Sequence, residues 1–386
     1  MKLLVIGVGD CGCRLAGCFS DLNRKARSER RVQIVTGAYA VNNDRDELLS
    51  QAKNEFKELQ TIFVNHKFSA DNTSAVAGAE MMRIEGGRVL TAIRANDFYD
   101  TDAIMFITGT AGKFGSGGVH VLMQQLKDRH IGKPLFAIAV LPFESESDEQ
   151  SIVYNTALCL KSLQKAADAV FLFDNEKFRL AGNISSPGDK KALAEINGEI
   201  VLPYYDLLCA TETLDPKYAG ARNIGIGDML QTMSGWTTLG IGRTEFPMTR
   251  SLFKSLPNFQ EKGSETQKAM EAMNLALGRM SIDVKLEYTG SALYLLTIPA
   301  QGANLDMVKV LGNHLREITN NAIIRGGDFY GAKHHALVTL ILSDLNYVER
   351  VKTYFDKAVG KAETAASDEA KAAAKPASPR WRKKKT

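Results

Sequence analysis

Short apolar runs alternate along the first half of the chain with stretches whose apolar residues recur at helical spacing. Leu3 to Ile6 leads through Gly7-Val-Gly9-Asp-Cys-Gly12 into a helical pattern from Cys13 to Phe19, which predicts strand, turn and helix. A second strand is predicted over Val32 to Val41, ending in Asn42-Asn43-Asp44, with helices over Arg45 to Gln60 and Val76 to Arg94. Further strands are expected at Ala103 to Ile107, Leu135 to Leu141 and Ala169 to Phe173, separated by helical patterns at Val119 to Lys127 and Glu149 to Ala166. This alternation predicts an α/β fold with a doubly wound, mostly parallel sheet, in which ligands gather at the carboxyl ends of the strands.

The pattern changes after residue 189. Lys190 to Thr213 reads as one long central helix, kinked or restarted at Pro203, which cannot donate an intrahelical hydrogen bond. Asn223-Ile-Gly225-Ile-Gly227-Asp228 then precedes a short helix and a strand at Thr238 to Gly242. Next come a helix (Gln267 to Leu277), strands (Ser281 to Glu287, Ala292 to Ile298), a helix (Leu305 to Asn321) and strands (Ala322 to Arg325, Ala336 to Leu342). That is a second, smaller α+β unit. The expected organisation is a first domain over 1–189, the long connecting helix and its exit over 190–222, and the α+β domain over 223–357. Residues 358–386, rich in Ala, Lys, Glu and Ser, form a disordered linker and basic tail, too polar to bury a core.

Composition narrows the class. With 386 residues, 45% hydrophobic and 24% charged, the chain has soluble globular composition and room for two domains. No apolar run reaches the ~18 residues of a membrane-spanning helix, and Lys2-Leu-Leu-Val-Ile6-Gly carries no signal-peptide pattern, so a cytoplasmic protein is expected. Cys11, Cys13, Cys18, Cys159 and Cys209 are too few for a disulfide scaffold in a chain this long, and their spacing fits no zinc pattern. The net charge of +4 belongs to the end of the chain, because Arg380, Arg382, Lys383, Lys384 and Lys385 exceed it and leave the preceding residues one unit negative. A neutral body argues against nucleic acid as a partner. Residues 378–386, with Trp381 among the cations, have three open roles: docking on an anionic membrane, binding a partner protein, or staying solvated.

The candidate chemistry lies in two glycine-rich turns. Gly109 to Gly118 reads Gly-Thr-Ala-Gly-Lys-Phe-Gly-Ser-Gly-Gly between an apolar strand and a helix, which aims backbone N–H groups and a positive helix end at one spot and suits a phosphate. A flexible Gly/Ser loop is the alternative, although linkers seldom sit between a buried strand and a helix. Gly7 to Gly12 satisfies the pattern G-x-G-x-x-G, which also opens dinucleotide-binding domains. A nicotinamide oxidoreductase of that kind wants an acid about 20 positions later to hold the ribose. Here Asp44 comes late, and the second glycine turn would stay unexplained. Together the two turns favour a nucleoside phosphate, with the polar stretch Phe68 to Ser74 available to cover its terminal phosphate.

Taken in order, these motifs resemble the tubulin/FtsZ superfamily, and several loops look most like those of its archaeal CetZ-type members, over roughly residues 1 to 345. Gly7 to Gly12 looks like the family's first phosphate loop, and Ala40-Val-Asn42-Asn-Asp44 is similar to its second, Ala-Val-Asn-Thr-Asp. Gly109 to Gly118 occupies the place of the signature Gly-Gly-Gly-Thr-Gly-Ser-Gly, and Leu141-Pro-Phe-Glu144 resembles the ribose-side loop. Asn175 matches an asparagine used near base and ribose, and Asn197, in Glu195-Ile-Asn-Gly-Glu199, resembles the CetZ-type asparagine that pairs with guanine. The resemblance implies GTP or GDP with Mg²⁺, a slow GTPase, and head-to-tail filaments of the chain itself serving cell shape or division. It implies nucleotide contacts from Gly9, Asp10, Cys11, Gly12, Asn42, Asp44, Gly109, Gly112, Lys113, Phe114, Gly115, Ser116, Gly117, Pro142, Glu144, Asn175 and Asn197.

Departures from the family pattern sharpen these expectations. Ala111, Lys113 and Phe114 stand where the family has Gly, Gly and Thr. Lys113 either neutralises a phosphate as a point charge or points to solvent. Asp10 either holds Mg²⁺ through water or caps a helix. In the catalytic loop, which acts on the neighbouring subunit's nucleotide, Gly225 replaces the first of two acids and Asp228 aligns with the second, leaving Asp228 as the catalytic candidate or as a plain helix cap. The alternative function is a degenerate GTP-binding switch or scaffold without turnover or assembly.

Overall fold

A computed structural model describes residues 1–51, 56–65, 74–129, 132–182, 190–213, 215–245, 259–300, 305–331 and 334–360. β1 (Leu3–Val8) runs directly into α1 (Gly9–Arg30), followed by β2 (Val35–Asn42), α2 (Arg45–Ser50), β3 (Gln60–Phe63), α3 (Ala75–Ala92) and α4 (Ala95–Tyr99). Then come β4 (Ala103–Gly109), α5 (Lys113–Lys127), β5 (Leu135–Leu141), α6 (Gln150–Ala166), β6 (Ala169–Asp174) and α7 (Asn175–Ala181). α8 (Lys190–Val201) and α9 (Tyr204–Glu212) lead to α10 (Ile226–Thr232), β7 (Gly235–Glu245), α11 (Phe259–Gly278), β8 (Thr289–Ile298), α12 (Leu305–Ile318), β9 (Ile323–Tyr330) and β10 (His335–Leu345). A last helix occupies 349–360.

These strands form one sheet in the order β3-β2-β1-β4-β5-β6-β7-β10-β8-β9. From β3 to β7 all pairs are parallel, whereas β10 runs antiparallel to both β7 and β8. β7 is the seam. Gly235 to Thr237 pair with Ala169 to Phe171 of β6, and residues from Thr238 onward pair with β10.

Strand alternation divides the core between the two faces of the sheet. Leu4, Ile6 and Val8 of β1 pack with Met82, Val89, Val119 and Leu122 of α3 and α5, while Leu3 and Val5 pack with Leu15 and Phe19 of α1 and with Ile200 and Tyr204. Both faces are covered, which explains why the parallel strands read as unbroken apolar runs rather than alternating ones. Tyr204 stands edge-on to Phe19 at 5.2 Å and to Phe171 at 5.7 Å, and so fastens the α8–α9 rod to the sheet.

Several boundaries differ from the sequence expectation. Of the helix expected over Arg45 to Gln60, α2 covers Arg45–Ser50 and residues 52–55 lie outside the described residues, while Gln60 to Phe63 add an edge strand to β2, where pairing outweighs local propensity. Ser281 to Glu287 is not a strand. Its first residue crosses the ends of β6 and β7, with the Ser281 hydroxyl donating to the Leu172 carbonyl (2.6 Å) and its N–H to that of Leu239 (2.7 Å). At Pro203 the helix restarts, one of the two outcomes expected there: α8 ends at Val201 and α9 begins at Tyr204, with Pro203 (φ −61°, ψ −23°) at the N-cap of α9, where its missing N–H costs little. The stretch Phe68 to Ser74 falls almost wholly outside the described residues, as does the tail beyond 360.

Candidate functional site

The carboxyl ends of β2, β1, β4, β5 and β6, neighbours in that order, open on one cleft of 740 Å³. That lies within the roughly 300–1,000 Å³ of small-molecule sites.

β1 passes into α1 without a loop. Gly9 turns the chain at φ 76°, a left-handed value that glycine adopts without strain. A Cβ on Gly12 would come 2.2 Å from the Ile107 carbonyl oxygen, and one on Gly9 would come 3.1 Å from Gly115 Cα. The first turn of α1 is therefore pressed against β4 and the start of α5. Gly9, Asp10 and Cys11 line the cleft, whereas Gly12 is buried beneath it against β4.

The second glycine stretch is also less of a loop than its composition suggests. Only Thr110, Ala111 and Gly112 separate β4 from α5, which begins at Lys113 rather than at Val119. The turn is anchored on both sides. The N–H and hydroxyl of Thr110 donate to the Val140 carbonyl (2.9 and 3.1 Å), and Asn155 Nδ2 donates to the Ala111 carbonyl (3.1 Å). Gly109, Gly112, Lys113, Phe114 and Gly115 line the cleft. Ser116 and Gly117 do not. The Ser116 hydroxyl donates back to the Gly112 carbonyl, and a Cβ on Gly117 would lie 1.7 Å from the Ala75 carbonyl oxygen. That glycine lets α3 pack tightly on α5.

Neither α1 nor α5 is capped by its N-cap side chain, since those residues are Val8 and Gly112. Two long helices rising from paired parallel strands thus direct their positive ends into one end of the cleft, the arrangement that attracts a phosphate. Asp10, the second residue of α1, is exposed at this end and is not its cap; its Oδ1 accepts from Asn42 Nδ2 at 2.6 Å. Asp44 lines the cleft while capping α2 through the Glu47 N–H (3.0 Å). No group of three His, Cys, Asp or Glu suited to a metal occurs among the described residues. A single carboxylate beside a phosphate-shaped end nevertheless fits Mg²⁺, which takes one or two carboxylates and completes its shell with phosphate and water. Burial pushes the Cys11 thiol up to about 12, so it is neutral near pH 7.

The other end of the cleft lies toward β6, two strand spacings or about 10 Å from β4. Pro142 and Phe143 line it after β5, Asn175 as the first residue of α7, and Leu193 and the buried Asn197 from α8. Glu144 is not in the lining. It is exposed, 3.4 Å from Arg350, and Glu146 faces the cleft in its place with Oε2 accepting from the Phe143 N–H (2.9 Å). Sequence reading also missed Arg14, which follows Asp10 by one helical turn and was findable from that spacing. Phe63 carried no such signal because β3 itself was missed.

Asn223 to Asp228 lies at the opposite end of the sheet. β7 enters beside Ala169, the first residue of β6, whereas the cleft opens at that strand's last residues. Asp228 is the third residue of α10. Its Oδ2 accepts from the Gly225 N–H at 3.0 Å, and its Oδ1 is 3.9 Å from Arg325 Nε. The segment leading to it is pinned by Asp328, 2% exposed, whose two oxygens accept from the N–H groups of Ala221 (3.0 Å) and Arg222 (2.7 Å). Replacing Asp328 by Ala removes both charge-assisted bonds and is expected to cost about 2–3 kcal/mol, measured as a lower denaturant midpoint.

Comparison with known proteins agrees along the whole described chain. Residues 2–181 match the Tubulin/FtsZ family GTPase domain, and residues 189–360 match the C-terminal domain of tubulin-like CetZ. Tubulin-like protein CetZ1 of Haloferax volcanii is 28% identical over 373 residues, covering 91% of this chain and 90% of that one. CetZ2 from Haloferax volcanii, solved as a GTPγS-bound protofilament, superposes with a TM-score of 0.77 at 22% identity over 95% of this chain and all of that one. An empty FtsZ dimer of M. jannaschii gives 0.63 at 21% identity over 88% and 87%. With the two matched domains following one another along a single sheet, the chain belongs to the tubulin/FtsZ family and carries a CetZ-type C-terminal domain.

Proposed function

We propose that this chain is a cytoskeletal GTPase that binds GTP in the cleft, assembles head to tail into filaments, and hydrolyses GTP slowly where one subunit meets the next. The observation that carries the reading is the pair of long helices whose N-termini, free of side-chain caps, converge on the glycine-lined end of the cleft. The phosphates lie against Gly9 to Cys11 and Gly109 to Gly115, with Lys113 as a point charge and Asp10 holding Mg²⁺. Guanine and ribose lie toward Asn175 and Asn197. Changing Asn197 to Ala is expected to weaken GTP about 10- to 100-fold, since a buried polar partner of the base is lost; titration calorimetry against GTP and ATP checks both affinity and base preference.

Asp228 does not line its own cleft and lies toward the far end of the sheet. Stacking protomers head to tail brings that end to the next subunit's nucleotide, and a heterologous contact that does not close into a ring propagates as a filament. The GTPγS-bound protofilament of the Haloferax volcanii CetZ2 supports this reading. A single acid in the loop supports slow turnover, because positioning the attacking water falls to Asp228 alone. Service in cell shape or division, a cytoplasmic location, and docking of residues 378–386 on an anionic membrane or a partner protein complete the proposal. Among the described residues no helix is long and apolar enough to cross a membrane.

Gly225, which offers no carboxylate at the start of α10, favours a second reading: a GTP-binding switch or scaffold without turnover. Sedimentation with GTP, GDP and a slowly hydrolysed analogue, with phosphate release followed in the same tubes, separates the two. Pelleting that requires the triphosphate is expected. Tight GTP binding without pelleting would establish the switch.

A further inference from the structure

An acidic segment lies at one end of the sheet and a basic groove at the other. At the carboxyl ends, Glu144-Ser-Glu146-Ser-Asp148-Glu149 follows β5 with four exposed carboxylates and no cation. At the amino ends, a groove of 200 Å³ is lined by Arg222, Lys309 and Arg316, with no carboxylate in its lining. Strand register fixes its position. Ile324 at the groove pairs with Ala292, Ala292 with Leu342, and Leu342 with Thr238, close to where β7 enters beside the start of β6. The groove therefore shares its end of the molecule with Asp228.

Within the protomer several of these charges meet neighbours in their own segments, Glu146 Oε2 accepting from the Phe143 N–H (2.9 Å) among them. Arg316 Nη1 donates to Asn313 Oδ1 at 3.1 Å, and Lys309 is 3.8 Å from Asp306, with both of those side chains well exposed. On the acidic side, one oxygen of Glu149 accepts from the Ser151 hydroxyl (2.5 Å), and Glu144 keeps its long contact with Arg350. The cations come from two separate elements, Arg222 from the segment before α10 and Lys309 and Arg316 from α12, with Ile324 and Gly326 of β9 beside them, so the groove is built by the fold and does not depend on one flexible run of lysines.

We propose that the acidic segment 144–149 of one protomer seats in the Arg222, Lys309 and Arg316 groove of the next copy of this chain. The inference rests on the head-to-tail reading and names the charges that fix its polarity. Head-to-head contact would set carboxylates against carboxylates and tail-to-tail contact would set cations against cations, each costly, whereas head-to-tail contact pairs them. Complementary ends of one molecule point to a second copy as the occupant rather than to an acidic peptide of another protein.

The test uses the full chain and reads the protein concentration at which GTP-dependent pelleting begins. Asp148→Lys with Glu149→Lys is one variant, Lys309→Glu with Arg316→Glu a second, and all four substitutions together a third. None of these residues lines the cleft, so GTP affinity is expected to stay at the wild-type value in all three. Each double reversal is expected to raise the threshold at least about tenfold, and the fourfold variant to return it to within about threefold of wild type. Raising salt from about 0.05 M to about 0.5 M is expected to raise the wild-type threshold and to matter less for the reversals. The inference is overturned if the wild type pellets with GTP and the reversals pellet at the same threshold, which would leave the groove to a different acidic partner. It is also overturned if the fourfold variant binds GTP yet remains as impaired as the doubles. Failure of the wild type to pellet would overturn the head-to-tail reading, and this contact with it.

Discussion

Changing Asp228 to Ala is expected to lower GTP turnover in the assembled protein about 10²- to 10⁴-fold, the range contributed by a group that positions or activates the attacking water. GTP affinity is expected to be unchanged, because Asp228 is not in the lining of its own chain's cleft. Phosphate release at saturating GTP, set beside a binding titration of the same preparation, checks both halves. A cap also disappears, since Asp228 accepts from the Gly225 N–H, and that loss costs about 1 kcal/mol. The two effects separate by mixing. Asp228→Ala protomers retain an intact cleft, so wild-type neighbours should restore turnover of the GTP they carry. If the mutant alone hydrolyses at the wild-type rate, Asp228 is only a helix cap.

Gly12→Val is expected to have the largest effect on the fold itself. The Cβ it introduces would stand 2.2 Å from the Ile107 carbonyl oxygen, a backbone atom held in the β1–β4 ladder that cannot turn aside as a side chain can. α1 must then lift from β4, and Gly9, Asp10 and Cys11 move with it. Overpacking of this kind costs about 1–3 kcal/mol, and more where the neighbour is backbone. The expected outcome is a lowered melting temperature and loss of GTP binding even in the fraction that folds. Gly87→Ala is the control. Nothing lies within 4 Å of its Cβ, and in mid-helix Ala is expected to stabilise by about 0.5–1 kcal/mol. Normal GTP affinity in Gly12→Val would show that α1 need not lie so close to β4.

The strand, turn and helix order of the first half was legible because both sheet faces are buried and each strand is an uninterrupted apolar run. The general place of the cleft followed from where those runs end. Finer assignments depended on contacts that no local pattern encodes. Ser116 and Gly117 belong to a glycine stretch that looks uniform in sequence, yet only its first part faces the cleft, while Gly117 answers to Ala75 some forty residues earlier. Glu146 lines the cleft in place of Glu144 because a single turn of 3₁₀ helix after Phe143 rotates the second acid inward. Asp328, which pins the segment before Asp228, lies a hundred residues away and stands out only once β9 is laid against Ala221 and Arg222. Ser281 to Glu287 looked like a strand because its apolar residues alternate, and its hydroxyl bond to Leu172 was invisible to that test.

The seam at β7 has a practical consequence. Because Gly235 to Thr237 close the ladder on β6, a fragment ending near residue 181 would present that strand as a raw edge, with its N–H and C=O groups unpaired beside apolar surface that α8 and α9 normally cover. Such a half-molecule, though it contains most of the cleft lining, should be prone to edge-to-edge aggregation, and nucleotide binding is best studied in a chain that keeps β7 in place.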